Sequence, residues 1–145
     1  VLASGAETIN GNSGTDLVDY SGSTSRVIVD LNQEVQSGGF AQGDHLINIE
    51  DVIGSNFGDI LPAKSTGSTI KGLAGDDTIF ADTGDDSVIS GTDNDRILGA
   101  TGNDTLVGGD GNDSIRGDDG DDGEHGVHDP TPWLRLARCR WAPIR

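Results

Sequence analysis

The residues of this chain that could do chemistry are aspartates that recur at a fixed interval. From Gly54 the sequence divides, without an insertion, into eight nonapeptides: GSNFGDILP, AKSTGSTIK, GLAGDDTIF, ADTGDDSVI, SGTDNDRIL, GATGNDTLV, GGDGNDSIR and GDDGDDGEH. Position six is Ser68 in the second repeat and aspartate in the others: Asp59, Asp77, Asp86, Asp95, Asp104, Asp113 and Asp122. Carboxylates in such number favour the binding of hard cations. The constant spacing predicts an ordered, repetitive structure that brings them together.

The overall composition fits this interpretation and limits the partners. The chain has 145 residues, 23 glycines, few aromatic residues and a net charge of -16. Low hydrophobicity with high net charge is typical of disorder, so only the regular repeat argues for a fold. We do not expect nucleic acids or anionic membranes as partners, because they would repel such a chain. Cys139 is the single cysteine, so a structural metal, and no internal disulfide, is the available staple.

The elements that must position the aspartates are turns and very short strands. Position eight is aliphatic in seven repeats and fails at Glu124: Leu61, Ile70, Ile79, Val88, Ile97, Leu106 and Ile115. Position four is often glycine and position five often asparagine or aspartate, residue types that tolerate the positive φ of sharp turns. Positions seven to nine favour a strand of about three residues with its central side chain turned inward. Strands this short must stack on neighbouring repeats, as in a solenoid.

The repeats GGDGNDSIR and GLAGDDTIF resemble the GGxGxDxUx nonapeptide, where U is a large aliphatic residue, of the RTX or haemolysin-type calcium-binding proteins, which Gram-negative bacteria secrete. The resemblance covers about half of the chain. It implies an all-β fold, a right-handed parallel β-roll in which two nonapeptides form one circuit. It also implies that Ca²⁺ ions lie between turns 18 residues apart on the same side of the roll.

The same resemblance implies the ligands. One side of the roll would stack Asp59, Asp77, Asp95 and Asp113, and the other Ser68, Asp86, Asp104 and Asp122. Backbone carbonyls at the glycine positions would complete the oxygen shell: Gly75, Gly84, Gly102, Gly111 and Gly120. Adjacent pairs give about five ions, with a further site weakened by Ser68. Calcium suits carboxylate and carbonyl oxygens better than magnesium does, and the scattered His45, His125, His128 and Cys139 lack the spacing of a zinc site.

Residues 1–53 are expected to contain degenerate repeats and a flanking segment. LASGAETIN, GNSGTDLVD and HLINIEDVI place Glu7, Asp16 and Glu50 in the acidic column. Residues 20–44 break the period, and RVIVDLN within them alternates as a β-strand does. This segment resembles one that precedes or interrupts RTX arrays. We expect it to flank or cap the roll of residues 54–125, since an open solenoid end exposes strand edges.

Residues 126–145 form a C-terminal tail of different character. From Pro130 onward it contains four arginines, both tryptophans and no acidic residue. Three interpretations stay open: a cap that folds back on the last circuit, a segment that binds a partner or serves secretion, and an end foreign to the repeats.

No catalytic motif accompanies the repeats, so the module is expected not to be an enzyme, although its parent protein could be one. HExxH, GxSxG and a P-loop are absent from the sequence. The leading hypothesis is a secreted, extracellular, monomeric module that folds on Ca²⁺ binding and supports type I secretion and folding of its parent. The alternative is an adhesin or carbohydrate-binding accessory module, with an extracellular polysaccharide as partner, of an enzyme such as an alginate epimerase, lyase, protease or lipase.

Overall fold

The structure is a parallel β-roll built from twelve short strands. The computed structural model describes residues 5–127. Its strands are β1 Thr8–Asn10, β2 Leu17–Asp19, β3 His45–Ile47, β4 Asp51–Ile53, β5 Ile60–Pro62, β6 Thr69–Ala74, β7 Thr78–Phe80, β8 Ser87–Thr92, β9 Arg96–Thr101, β10 Thr105–Asp110, β11 Ser114–Asp119 and β12 Gly123–Val127. A 3-10 turn spans Gly39–Ala41. Within residues 5–127 there is no helix with the length and apolar character needed to cross a membrane.

The nonapeptide period decides which strands pair. Successive repeats send their strands alternately to two sheets, so each strand pairs with the strand two repeats away. One sheet has six strands in the order β12-β10-β8-β6-β4-β2, and the other has four in the order β11-β9-β7-β5. All of these pairs are parallel, with Thr69 opposite Ser87 and Thr78 opposite Arg96. The expected parallel roll, with two repeats per circuit, is confirmed.

The core is a column of single aliphatic side chains. The position-eight residues of the first six repeats are at most 1% exposed: Leu61, Ile70, Ile79, Val88, Ile97 and Leu106. Ile115 of the seventh repeat is partly buried and packs against them. Position one is also buried in every repeat, and its residues are all small: Gly54, Ala63, Gly72, Ala81, Ser90, Gly99, Gly108 and Gly117. A section through the roll therefore contains little apolar volume.

The expectation of three-residue strands is wrong for much of the roll. Five strands, β6 and β8 to β11, are six residues long and run from position seven into position three of the next repeat. Pairing passes over the position-one residue, since Val107 lies opposite Ile89 and Gly109 opposite Gly91. The backbone continues to pair beyond this point because each circuit repeats the conformation of its neighbour, and ladder hydrogen bonds need no particular side chain.

Positive φ falls at positions two and four of the later repeats, and not at position five as the sequence suggested. At position four, Gly84 and Gly102 have φ of 110° and 137°. At position two the non-glycine residues Leu73 and Ala100 have φ of 90° and 76°. A side chain with a Cβ is strained in this region. The asparagines and aspartates of position five have another role, described below.

The degenerate N-terminal repeats are part of the parallel pairing. Val18 of β2 lies opposite Val52 of β4, and both are buried. Strand β1 pairs with β3 in a separate two-stranded sheet. Parallel pairing within the described residues therefore already includes β1 and β2.

The non-repeat segment 20–44 lies against the edge of the four-stranded sheet. Ile28 forms a parallel bridge with Ile60, and the N–H of Val29 donates to the carbonyl of Ile60 at 3.0 Å. The predicted alternation is present, because Val27 and Val29 are fully buried while Ile28 is only partly so. The predicted regular strand is reduced to isolated bridges. The segment covers the edge of β5, as an expected cap would.

At the other end the roll continues past Glu124. Strand β12 pairs with β10 as far as Val127, which lies opposite Asp110. The loss of the aliphatic residue at position eight therefore does not end the pairing, because the ladder is made by the backbone. The interpretations of the C-terminal tail concern residues that lie, from 128 onward, outside the described part of the chain.

Candidate metal centres

The position-six residues form two stacks, which we call the inner ladders and which are buried except at their last members, the partly exposed Asp113 and Asp122. The first contains Asp59, Asp77, Asp95 and Asp113, and the second contains Ser68, Asp86, Asp104 and Asp122. In both, the backbone N–H at position six donates to Oδ1 of the aspartate one circuit later, at 2.6 to 3.0 Å. The structure thus brings together the side chains that the sequence predicted to stack.

The second oxygen of most ladder aspartates has no hydrogen-bond partner. The buried Oδ2 atoms without a partner belong to Asp16, Asp77, Asp86, Asp95, Asp104 and Asp113. A buried carboxylate oxygen that accepts nothing costs free energy, because it has lost water and gained no donor. A cation ligated by these oxygens would remove that cost. The orphaned oxygens therefore fit the calcium that the sequence pattern favours.

Position one makes room for the carboxyl groups. A Cβ on Gly72 would collide with Oδ2 of Asp77, and one on Gly99 would lie 2.6 Å from Oδ2 of Asp104. The small residues of this column therefore let each carboxylate fold back over the start of its own repeat. Sequence reasoning missed this role, although the signal was present, since no residue larger than serine occurs at position one.

Burial makes the ladders resist ionisation. Loss of water, with the neighbouring carboxylates adding repulsion, raises the pKa of Asp77 to about 8 and that of Asp86 to about 7. Burial also raises the pKa of Asp95 and Asp104 above its ordinary value. The charged form of these groups is thus unfavourable in the roll as it stands. A divalent cation would reverse this, because an opposite charge favours the ionised carboxylate.

The predicted glycine ligands lie in the turns beside the ladders. Gly75, Gly84, Gly102 and Gly111 have positive φ, and Gly120 follows one circuit after Gly102. A Cβ on Gly102 would collide with the carbonyl oxygen of Gly84, and one on Gly120 with that of Gly102. The carbonyl oxygen of one turn therefore lies against the next turn of the stack. Main-chain oxygens are thus available there as ligands for a cation.

The chemistry of the donor set limits the metal. Among residues 5–127 there is no group of three or more histidine, cysteine, aspartate or glutamate side chains able to hold an ion. Each candidate centre thus has a pair of aspartates and must take its remaining ligands from the backbone or from water. Calcium accepts six to eight oxygens in flexible geometry, whereas zinc prefers a closed set of nitrogen and sulfur side chains.

Position five forms two exposed outer ladders that sequence reasoning also missed. Oδ1 of Asp76 accepts from the N–H of Asn94 at 2.9 Å, and Oδ1 of Asn94 accepts from the N–H of Asn112 at 3.1 Å. On the other side Oδ1 of Asp85 accepts from the N–H of Asn103 at 2.8 Å. Aspartate and asparagine are interchangeable here, because only one acceptor oxygen is required. The outer ladders therefore stabilise the turns without needing a charge.

The first position-six residue of each inner ladder departs from the rule. Both oxygens of Asp59 accept hydrogen bonds from the protein: Oδ1 from the N–H of Val27 and the hydroxyl of Ser55, both at 2.8 Å, and Oδ2 from the N–H of Ser55 at 2.5 Å. At Ser68 the carboxylate is missing. At these two positions, unlike the later ones, a cation would find either a carboxylate whose two oxygens already accept hydrogen bonds, at Asp59, or no carboxylate, at Ser68.

Comparison with known proteins identifies the repeat. Residues 3–21, 65–97 and 98–123, more than half of the chain, match the RTX calcium-binding nonapeptide repeat in four copies. Comparison with curated proteins found no match. The match includes most of the second repeat, the third to seventh repeats and the degenerate repeat around Asp16, and the strands of these segments all pair in parallel. The chain belongs to the RTX family of calcium-binding nonapeptide-repeat proteins.

Proposed function

We propose that this β-roll binds Ca²⁺ through the inner ladders, and that ion binding completes its folding. The observation that carries the proposal is the row of buried, unpartnered Oδ2 atoms. Ions between successive ladder aspartates would use the pairs Asp77–Asp95, Asp95–Asp113, Asp86–Asp104 and Asp104–Asp122, with carbonyl oxygens from the turns that contain Gly75, Gly84, Gly102, Gly111 and Gly120. This gives about four ions, one fewer than the sequence pattern suggests.

Ion binding and folding are coupled in this arrangement. An ion between two turns needs both turns in place, and in the extended chain their aspartates are 18 residues apart. The core supplies only one aliphatic side chain per repeat, which is little to offset the burial of several carboxylates. The free energy of ion binding therefore becomes free energy of folding.

The coupling supports a role in secretion. Extracellular calcium modules bind with Kd of about 10⁻⁴ to 10⁻³ M, so their sites fill outside the cell and stay empty in the cytoplasm. The net charge of -16 keeps the ion-free chain expanded. We infer that the calcium-dependent circuits of the module are exported in the unfolded state, fold outside the cell, where the module is a monomer, and promote folding of the parent there.

A calcium titration followed by far-ultraviolet circular dichroism tests the proposal. Strand signal should be low in EDTA, rise with calcium in the millimolar range, and fail to rise with the same concentration of magnesium, which holds its waters too firmly for this donor set. Strand content that is independent of calcium would contradict the proposal. Titration with a polysaccharide at constant calcium tests the alternative. A saccharide-binding module would bind the polysaccharide with a stoichiometry of its own, in addition to binding calcium.

A further inference from the structure

The first two repeats, 54–62 and 63–71, have a different turn backbone from those that follow. Position two has positive φ in all six later repeats: Leu73 (90°), Asp82 (71°), Gly91 (123°), Ala100 (76°), Gly109 (96°) and Asp118 (71°). The equivalent residues, Ser55 and Lys64, do not. At position four, Phe57 and Thr66 also lack positive φ, whereas five of the six later repeats have it: Gly75, Gly84, Asp93, Gly102 and Gly111. The first two turns therefore follow another path at the same place in the circuit.

In the first repeat, position two supplies the donors for the aspartate. Ser55 donates its N–H to one oxygen of Asp59 and its hydroxyl to the other. The N–H of Val27, from the non-repeat segment, takes the place that position six of a preceding circuit would have. Asp59 is 1% exposed, yet neither of its oxygens is without a partner. A calcium ion here would compete with hydrogen bonds that are already made.

In the second repeat, position two supplies a cation. The ammonium of Lys64 lies 2.7 Å from Oε1 of Glu50, the position-six residue of the preceding circuit, and 3.3 Å from the carbonyl oxygen of Ile49. One carboxylate and one main-chain carbonyl are the donor types that calcium takes in such turns. The Lys64 N–H donates to the hydroxyl of Ser68, which replaces the aspartate. The lysine thus neutralises Glu50 where a metal ion would otherwise do so.

We propose that these first two turns are closed by the protein's own donors, Ser55 and Lys64, and bind no calcium. Ions then occupy only the turns from position 72 onward. The inference rests on the proposed function, because it divides the inner ladders into metal-free and metal-binding parts. It also gives the N-terminal end a purpose: residues 5–71 form a metal-independent edge on which the calcium-dependent circuits assemble.

The distribution of the core agrees with this division. Of the buried apolar residues, Val18, Tyr20, Val27, Val29, Leu31, Ala41, Leu46, Ile49, Val52, Leu61, Ala63 and Ile70 precede residue 72, and only Ile79, Ala81, Val88, Ile97 and Leu106 follow it. The hydroxyl of Tyr20 donates to Asp44 at 2.8 Å, and both residues are fully buried. The first part thus has more of the apolar packing and only one orphaned oxygen, Oδ2 of Asp16, whereas the second part contains the other five.

Calcium stoichiometry by isothermal titration calorimetry on the full chain tests the first turn. Asp59→Asn should bind as many ions as the wild type, whereas Asp104→Asn should bind about two fewer, since Asp104 belongs to two proposed sites. A lower stoichiometry in Asp59→Asn would overturn the inference. Wild-type stoichiometry in both variants would instead contradict the ligand assignment of the proposed function, so the two failures are distinguishable.

A gain of binding tests the second turn. The triple substitution Lys64→Gly, Thr66→Gly and Ser68→Asp restores the residue types of the later repeats and should add about one ion. Ser68→Asp alone, with Lys64 retained, should add none. No added ion in the triple variant, or an added ion in the single variant, would overturn the assignment of Lys64 as the resident cation.

Hydrogen exchange on the wild-type chain in EDTA tests the metal-independent edge without any substitution. The N–H groups of Val29 and Ile60, bonded between the non-repeat segment and β5, should stay protected. Those of Thr105 and Ser114 should exchange at least tenfold faster than in calcium, because their circuits depend on ions. Equal loss of protection at Ile60 and Thr105 would overturn the metal-independent edge.

Discussion

Asp104→Asn is the substitution whose effect follows most directly from the inner ladders. The side chain is 1% exposed, its Oδ1 accepts from the N–H of Asp86 at 3.0 Å, and its Oδ2 has no partner. Asparagine keeps an oxygen for Asp86 and places an amide NH₂, which cannot ligate calcium, where the orphaned oxygen was. The hydrogen bond from Asp86 is therefore retained while the metal sites on either side of Asp104 are lost.

The magnitude follows from the number of sites that share this residue. Asp104 pairs with Asp86 and with Asp122, so about two of four proposed ions lose a ligand. A site with Kd of about 10⁻⁴ to 10⁻³ M contributes about 1.4 to 2.7 kcal/mol at about 10 mM calcium. Loss of two sites should therefore lower the free energy of unfolding by about 3 to 5 kcal/mol in calcium. In EDTA the two proteins should differ far less.

The matched control is Asp85→Asn in the outer ladder. Asp85 lies at position five of the turn one circuit before Asp104, and the substitution removes the same charge. The side chain of residue 85 needs only one oxygen, Oδ1, to accept from the N–H of Asn103. The equivalent place one repeat on is already Asn94, which makes the same bond. Calorimetric stoichiometry and urea unfolding in calcium should both match the wild type for this variant. An equal loss of ions in Asp85→Asn and Asp104→Asn would refute the assignment, because general charge reduction would then explain both.

Three further predictions concern the ion-free chain and the framework. The pKa of Asp77 is raised to about 8 and that of Asp86 to about 7 in the roll, so folding takes up protons. Strand content in EDTA should therefore be higher near pH 5 than near pH 9, and a strand signal that does not change with pH would contradict this. Ala100→Gly should raise the free energy of unfolding by about 0.5 to 1 kcal/mol, because Ala100 has φ of 76°, and urea titration in calcium would detect the change. Ile97→Ala should cost about 2 to 5 kcal/mol, since Ile97 is 1% exposed, whereas Ile89→Ala, at a 45% exposed position, should cost less than about 1 kcal/mol. Similar thermal midpoints for the two alanine variants would refute the inward position of column eight.

The sequence predicted the parts of the fold that depend on the period. Columns six and eight recur every nine residues, so stacked short strands and a buried aliphatic column follow from counting. The two-sheet roll with two repeats per circuit, and with it the stacking of Asp77 on Asp95, was implied by the resemblance to RTX repeats. The six-residue strands do not, because backbone pairing across position one has no residue signature beyond small size. The outer ladders were missed for a related reason: asparagine and aspartate fit both a turn with positive φ and a side-chain hydrogen bond, and composition does not separate the two.

The aperiodic features could not be predicted, because they depend on contacts between distant residues. Val27 meets Asp59 across 32 residues, and Lys64 reaches Glu50 across 14, without a spacing rule that links them. The sequence therefore counted Asp59 with the other ladder residues. Only the hydrogen bonds of its two oxygens distinguish it from Asp77.

The most direct test of calcium binding in the inner ladders is a crystal structure of the chain grown in calcium, with anomalous diffraction to locate the ions. Anomalous peaks should lie between successive aspartates of both inner ladders, within about 2.3 to 2.6 Å of Oδ2 of Asp95 and Asp104. Peaks confined to the outer ladders, or ordered inner ladders without any peak, would contradict the account.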